Sequence, residues 1–341
     1  MTDSPQTSAT VWALTDDRPG NNTQVFGVAQ ALGWPVEEKA IRYSTLARLP
    51  NLLRGASLAG VADESRGALS GPWPDVVIAA GRRSAPVARW IKRQSQGKTK
   101  LVQIMFPGHA GAKDFDVIAV PAHDANTRVS DWPNVISITG APSLITPDLL
   151  AAEAERWKGR YDTLPRPHIA VIVGGATRRR AFSQVDAFDL GSQVAALASS
   201  TGGSVLLTTS RRTGKKAEAA LMQSIPEPRV VFQWGHDGEN PYRGFLALAD
   251  AIVVTGDSVS MCAEACATET PVYIYAQPQT VSAKHARFHQ GLYDQEYARP
   301  LAETFEDWSH PPLNPAEDIA AAVRRVVAGE PAKEIGEPAQ G

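Results

Sequence analysis

The stretch Leu246–Tyr275, LALADAIVVTGDSVSMCAEACATETPVYIY, leaves this chain few folds to choose from. Two short β-branched runs, Ala251–Val254 and Pro271–Tyr275, flank a loop at Thr255–Ser258 and a helical segment ending near Ala267. Strands joined through a helix run parallel, because parallel strands need a long crossover rather than a tight turn. The unit therefore predicts a parallel sheet. The helix start carries the chemistry. Thr255, Ser258 and Ser260 bring hydroxyls, Gly256 gives backbone freedom, and first-turn amides lack helical partners. Such an end suits a phosphate. Glu264 follows one turn later, where a carboxylate can accept hydrogen bonds from a ribose diol. The bland alternative stands beside this one: Ser258 is an N-cap and Glu264 a solvated helix residue.

Short strands alternate with helices along the rest of the chain. Val11–Leu14, Val36–Ile41, Asp75–Ala80, Leu101–Met105, Asp116–Val120 and Val135–Ile138 read as strands. Helices are expected at Gln24–Leu32, Thr45–Leu58 and Ala85–Gln94. Residues 15–22, rich in Asp, Pro, Gly and Asn, read as a turn-rich loop. This half makes one doubly wound domain over residues 1–141. Four prolines and one helix, Pro147–Trp157, mark residues 142–167 as a hinge connector. A second doubly wound domain, 168–329, opens with the strand His168–Val173. It continues through strands at Ser204–Thr208 and Arg229–Phe232, the organising βαβ unit, and helices at Ser282–Tyr297 and Pro315–Val327. Residues 330–341 form a tail. The expected fold class is α/β, two Rossmann-like doubly wound domains facing a cleft.

Composition mainly excludes. A formal charge of −2 argues against a nucleic-acid binder. Cys262 and Cys266 lie four apart on one helix, which suits small buried residues in a reducing compartment better than a disulfide framework. No apolar run approaches the roughly 20 residues of a membrane span. The start, MTDSPQTSAT, lacks the basic and apolar regions of a signal peptide and reads as a disordered lead-in. A cytoplasmic protein, at most peripheral to the inner membrane, is expected.

In an open parallel sheet the loops after the strands gather at one edge, where ligands bind. Four such loops belong to the second domain: Gly174–Arg180, Thr209–Gly214, Gln233–Asn240 and Thr255–Ser260. Two combine glycine and hydroxyls with arginines, whose planar forks match phosphate oxygens. Gly174, Gly175, Arg178, Ser210 and Arg211 join Thr255, Gly256, Ser258, Ser260 and Glu264 as candidate substrate ligands. Trp234 either packs beside a base or fills a core, and core is the expectation. No GxxxxGK[ST] or GxGxxG motif is present, which disfavours a P-loop ATPase and a nicotinamide dehydrogenase. No His/Cys cluster has zinc spacing. Asp17, Asp16 and His109, each after a strand of the first domain, are candidates for a base that deprotonates an acceptor hydroxyl.

The string around Glu264 resembles the donor-nucleotide segment of GT-B glycosyltransferases and of the UDP-N-acetylglucosamine 2-epimerase group. The resemblance implies Glu264 as ribose ligand, with Ser258–Ser260 flanking the diphosphate. The segments TDDRPGNNTQVFGVAQALG, VIVGGATR, LLTTSRRTG, NPYRGFLALADAIVVTGDSVSMCAEA and PVYIY together resemble the mitochondrial-fission Elm-type family. That resemblance covers most of the chain and implies a GT-B-like fold and a metal-independent glycosyltransferase. Its donor would be a nucleotide-diphosphate sugar, its acceptor an envelope lipid or glycan, with no further cofactor. An epimerase or hydrolase of a nucleotide sugar, and a non-catalytic interaction protein, stay open as alternatives. The sequence Asp114-Phe115-Asp116 looks like the DxD metal motif of other glycosyltransferases, but it precedes a strand and reads as surface.

Overall fold

A computed structural model describes residues 8–124, 127–302 and 304–333. Residues 1–7 of the lead-in and most of the expected tail lie outside these residues. Among the described residues twelve strands form two six-stranded sheets. The first holds β1 (Val11–Thr15), β2 (Val36–Ala40), β3 (Val76–Ala80), β4 (Lys100–Ile104), β5 (Val117–Pro121) and β6 (Val135–Ile138). The second holds β7 (His168–Val173), β8 (Ser204–Thr209), β9 (Arg229–Phe232), β10 (Ala251–Thr255), β11 (Val272–Tyr275) and β12 (Arg299–Pro300). Spatial orders are β2-β1-β3-β4-β5-β6 and β12-β11-β10-β7-β8-β9, and every pairing is parallel.

The sequence explains why helices cover both faces. β1, β3, β5, β7, β8 and β10 are buried along their whole length, as parallel strands between two helical layers must be. Val11 and Ala13 face one core and Trp12 and Leu14 the other. In the second sheet Ala170 and Ile172 face one core, with Cys262 and Cys266, while Ile169, Val171 and Val173 face the opposite one. Both cysteines are unbridged.

Two compact units result, one running to Leu144 and taking up the chain again from Asn314, the other spanning Ile145–Leu313. The C-terminal helix Pro315–Val327, assigned from sequence to the second domain, buries Ile319, Ala320 and Val323 in the first unit's core beside Val25 and Val28. Its apolar stripe fits the helix Pro19–Leu32. The tail begins with structure too: Ala332 lies in the same core. From Ile145 on, the segment expected as a connector folds onto the second unit. Its helix Pro147–Trp157 packs on Tyr242–Leu248, where a Cβ on Gly244 would fall 2.6 Å from the Trp157 ring.

Three local expectations give way. Pro19–Asn22, read as loop, is the first turn of the helix Pro19–Leu32, since proline suits the first helical position. The helix expected over Thr45–Leu58 is only a 3-10 turn, Thr45–Arg48, and a single turn, Asn51–Arg54, because Pro50 interrupts it. The two-residue edge strand β12, with no periodicity to reveal it, was not anticipated.

Candidate functional site

Each sheet reverses its winding once. In the first the chain runs β1 to β2, then returns to β3 on the other side of β1. In the second it runs β7, β8, β9, then returns to β10 beside β7. Loops diverge at such a point and leave a crevice outside the carboxyl ends of the strands. The candidate residues concentrate at these two places.

At the second switch point the loops after β7, β8 and β10 are tied together. The Thr255 hydroxyl oxygen accepts from the Gly174 amide at 2.7 Å. The Asp257 carboxylate accepts from the Gly175 amide at 3.1 Å and from Arg212 Nη1 at 2.5 Å. Arg212 also donates to the Ala176 carbonyl at 3.2 Å. The Ser210 hydroxyl donates to the Gly174 carbonyl and accepts from the Arg212 amide. Thr213 Oγ1 donates to the Gly174 carbonyl at 2.9 Å. There is no room for side chains: a Cβ on Gly174 would lie 2.5 Å from the Asp257 carboxylate, and one on Gly175 2.4 Å from the Arg212 carbonyl oxygen. Gly175 also has φ +123, which only glycine adopts readily.

Other members stand apart from this weave. Arg178 and Arg211 are exposed, so the arginine tied to the β10 loop is Arg212, which the sequence reading passed over together with Asp257. The signal for Asp257 was its place between Gly256 and Ser258 in the βα loop. Ser258 caps the helix Val259–Cys266, its Oγ accepting from the Met261 amide, and Ser260 is half-buried in the first turn. Gly256 lies against the His289 ring, where a Cβ would approach to 2.4 Å. Glu264 is half-buried and accepts a hydrogen bond from the Tyr242 hydroxyl. Burial raises its pKa, while Tyr242 and nearby Arg243 pull it down. Trp234, expected in a core, is exposed, and its amide donates to Thr209 Oγ1 in the neighbouring loop. A cavity of about 380 Å³ opens at the end of β11, lined by Tyr275, Gln277, His289 and Gln290 among others.

The first switch point has different chemistry. Arg83, in the loop after β3, pairs with Asp16 at 2.8 Å and with Asp17, both after β1. The Asp16 side chain is 6% exposed and that of Asp17 75%. Asp16 also accepts from the Arg18 amide, and Asn22 holds its backbone in both directions. The Arg83 hydrogen bond holds the Asp17 carboxyl below its ordinary value. A carboxylate so stabilised takes up a proton poorly, so Asp17 is better suited to hold a hydroxyl than to deprotonate it. His109, after β4, is exposed and packs edge-on to Phe106 and Trp132. The DxD-like pair is engaged elsewhere: Asp114 pairs with Arg89, and Asp116 with Lys92 and Lys100. Among the described residues no cluster of three or more His, Cys, Asp or Glu could hold a metal ion, and no helix is long and apolar enough to cross a membrane.

Comparisons with known proteins agree on one family and one fold. The family model described as mitochondrial fission ELM1 matches residues 19–327. An uncharacterized protein of Rickettsia prowazekii is 30% identical over 355 residues, covering 92% of this chain and 97% of that protein. The mitochondrial fission protein ELM1 of Arabidopsis thaliana is 29% identical over 295 residues, covering 80% of this chain and 68% of that protein. Among solved structures, the UDP-GlcNAc 2-epimerase of Methanocaldococcus jannaschii superposes with a TM-score of 0.52 at 9% identity, over 92% of this chain and 99% of the enzyme. A second structure of that enzyme is in complex with UDP-GlcNAc and UDP. At such identity the likeness concerns the fold alone, which this chain shares with these epimerases.

Proposed function

The chain belongs to the mitochondrial fission ELM1 family, and from that premise we propose that its second unit binds a nucleotide-diphosphate sugar and that the protein is a metal-independent glycosyltransferase. The observation that carries the reading is the second switch point. Backbone of Gly174 and Gly175, the Arg212 guanidinium and the start of the helix Val259–Cys266 converge there, and Glu264 stands on that same helix. A helix start and arginine suit a diphosphate. Glu264, with Tyr242 fixing one oxygen, suits a ribose diol. Trp234 offers an exposed ring at the same sheet edge for a base, and the cavity at the end of β11 offers room for a sugar. Arg178 and Arg211 supply further positive charge from the loops after β7 and β8. The ligands in complex with the M. jannaschii enzyme, UDP-GlcNAc and UDP, make uridine nucleotides the first to try.

At the first unit's edge the carboxylates of Asp16 and Asp17 suit hydroxyl groups, as a lipid or glycan acceptor would present. A non-catalytic role is favoured by one observation: Arg212 and Glu264 already have protein partners, Asp257 and Tyr242.

The test is calorimetric titration of UDP, UDP-GlcNAc and other nucleotide sugars, followed by turnover assays on whichever binds. Binding with release of UDP only when an acceptor is supplied supports the transferase. An isomerised or hydrolysed sugar without acceptor assigns an epimerase or hydrolase. Binding without turnover assigns the non-catalytic role, and no binding by any nucleotide removes the reading.

A further inference from the structure

The segment Leu46–Arg54, LARLPNLLR, is built inside out. Two of its three polar members, Asn51 and Arg54, are buried, while Leu46, Leu49, Leu52 and Leu53 are exposed, the last two at 78% and 72%. The burial is structural. Asn51 Nδ2 donates to the carbonyls of Arg82 and Pro107, both at 3.0 Å, and Arg54 donates to those of Ala59 and Arg83. Exposed Arg82 reaches back to the Leu49 carbonyl at 2.8 Å. Ala47 and Ala56 are buried and anchor the backbone. The leucines are thus not loosely displayed. A fixed scaffold of polar bonds holds them outward on the loops that follow β3 and β4.

Four exposed leucines within eight residues are an apolar patch that water disfavours, and such patches mark contact surfaces. The surrounding charge selects the occupant. No Asp or Glu lies between Glu38 and Asp63, a span that carries Lys39, Arg42, Arg48 and Arg54. Arg42 leans towards Glu64 at 3.6 Å and Lys39 towards Glu37, whereas Arg48 is exposed among the leucines. Leucines flanked by arginine, in a stretch of chain without acids, match a surface that is apolar below and anionic above. That is a bilayer with acidic headgroups.

We infer that Leu46, Leu49, Leu52 and Leu53, with Arg48 and Arg82 beside them, form a docking surface for an anionic phospholipid membrane. The inference stands apart from the nucleotide reading, since vesicle binding requires no nucleotide.

The experiment is flotation of the full chain with phosphatidylcholine vesicles, with and without phosphatidylglycerol. Wild type should float with the anionic vesicles and largely stay behind with the neutral ones. Leu52→Ser/Leu53→Ser should weaken binding at least about tenfold, since two apolar side chains no longer leave water. Arg48→Ala should weaken it about fivefold, and less at high salt. All these side chains are exposed, so melting temperatures should not change. Equal flotation by wild type and the double serine variant would overturn the assignment, as would absence of wild type from anionic vesicles. Sedimentation velocity without lipid covers the other occupant. If wild type self-associates and the double variant is monomeric, the leucines are an interface between copies and the proposal falls.

Discussion

The two switch points share a topology and differ in charge and in room. At the first, one arginine sits between two carboxylates, Asp16 and Asp17, and the more exposed acid faces solvent. At the second, one buried carboxylate, Asp257, is matched by Arg212, and Arg178 and Arg211 stand exposed nearby. Around Arg83 the acids thus outnumber the arginine that holds them, whereas around Asp257 the arginines outnumber the acid. Room differs as well. The β7 loop approaches its neighbours so closely that neither Gly174 nor Gly175 could carry a Cβ, whereas Gly20, after β1, has nothing within 4 Å. Topology thus places a crevice, and the residues on its loops decide whether it suits an anion or a hydroxyl.

Alanine at these glycines should give the largest difference between the two regions. Gly175→Ala puts a Cβ against the Arg212 backbone and forces a positive φ on a residue that carries a Cβ, which should cost about 3 kcal/mol or more. Gly20→Ala, in an open first turn, should be neutral or stabilise by about 0.4–1 kcal/mol. Chemical denaturation of both variants measures this, and equal tolerance would mean that the second loop is not tightly woven.

A smaller effect is expected from the ion pairs. Asp257→Ala strands the Gly175 amide and Arg212 together. Losing one partner of a buried pair costs 3–5 kcal/mol, and the partial exposure of Arg212 reduces the expectation to about 2–3 kcal/mol. The counterpart Asp16→Ala removes a partner from Arg83, which keeps Asp17, so the loss should be smaller. A larger loss at Asp16 than at Asp257 would reverse the assignment of the better sealed site.

Nucleotide affinity should separate the two regions without unfolding either. Glu264→Ala should weaken UDP binding by about 1.5–3 kcal/mol, as expected when a charged hydrogen bond is lost, and Glu264→Gln by less. A 2′-deoxy nucleotide should bind wild type weakly and the Ala variant no worse than its ribose form. Asp16→Asn should leave affinity for UDP unchanged. Stability adds a separate signature. Burial raises the Glu264 pKa, so its ionisation opposes folding. That opposition is absent below the ordinary glutamate value of about 4.3 and complete once pH exceeds the raised folded value. Glu264→Gln should therefore melt no lower than wild type at neutral pH without nucleotide. A falling melting temperature with undiminished affinity would make Glu264 a structural residue only.

Much of this architecture was legible because parallel strands write themselves as continuous apolar runs. His168–Val173, Arg229–Phe232, Val135–Ile138 and Pro147–Trp157 have the bounds expected from sequence. Long-range pairing has no such signature. Nothing in Pro315–Val327 says which of two similar sheets its apolar stripe will meet, and it meets the first. At the second switch point the loops could be named but not the side chains within them. Arg211 and Arg212 are equivalent by composition, and only the turn closed by Ser210 and Thr213 aims Arg212 towards Asp257. A core is the expectation for Trp234, yet its loop ties back through its own amide to Thr209 and leaves the ring in solvent.

The smallest expected effect lies at Asp17, and its sign is set by the Arg83 pair. The hydrogen bond from Arg83, and its charge, lower the Asp17 pKa in the folded chain. A lowered carboxyl contributes stability that is fully present above the unfolded value, about 3.9, and lost as pH falls through the lower folded value. Asp17 is largely exposed, so solvent screens the pair and its contribution should stay within about 0–1 kcal/mol. Asp17→Asn should accordingly melt slightly below wild type at neutral pH, and the two curves should converge in acid. Added salt should narrow the neutral gap, because the charges face water. At the second switch point the corresponding carboxylate is buried, and salt should change the effect of Asp257→Ala far less. If salt moved both variants equally, the contrast in burial between the two sites would not govern their energetics. A gap for Asp17→Asn that persists unchanged into acid would show that the residue acts through the loop's backbone geometry rather than through its charge.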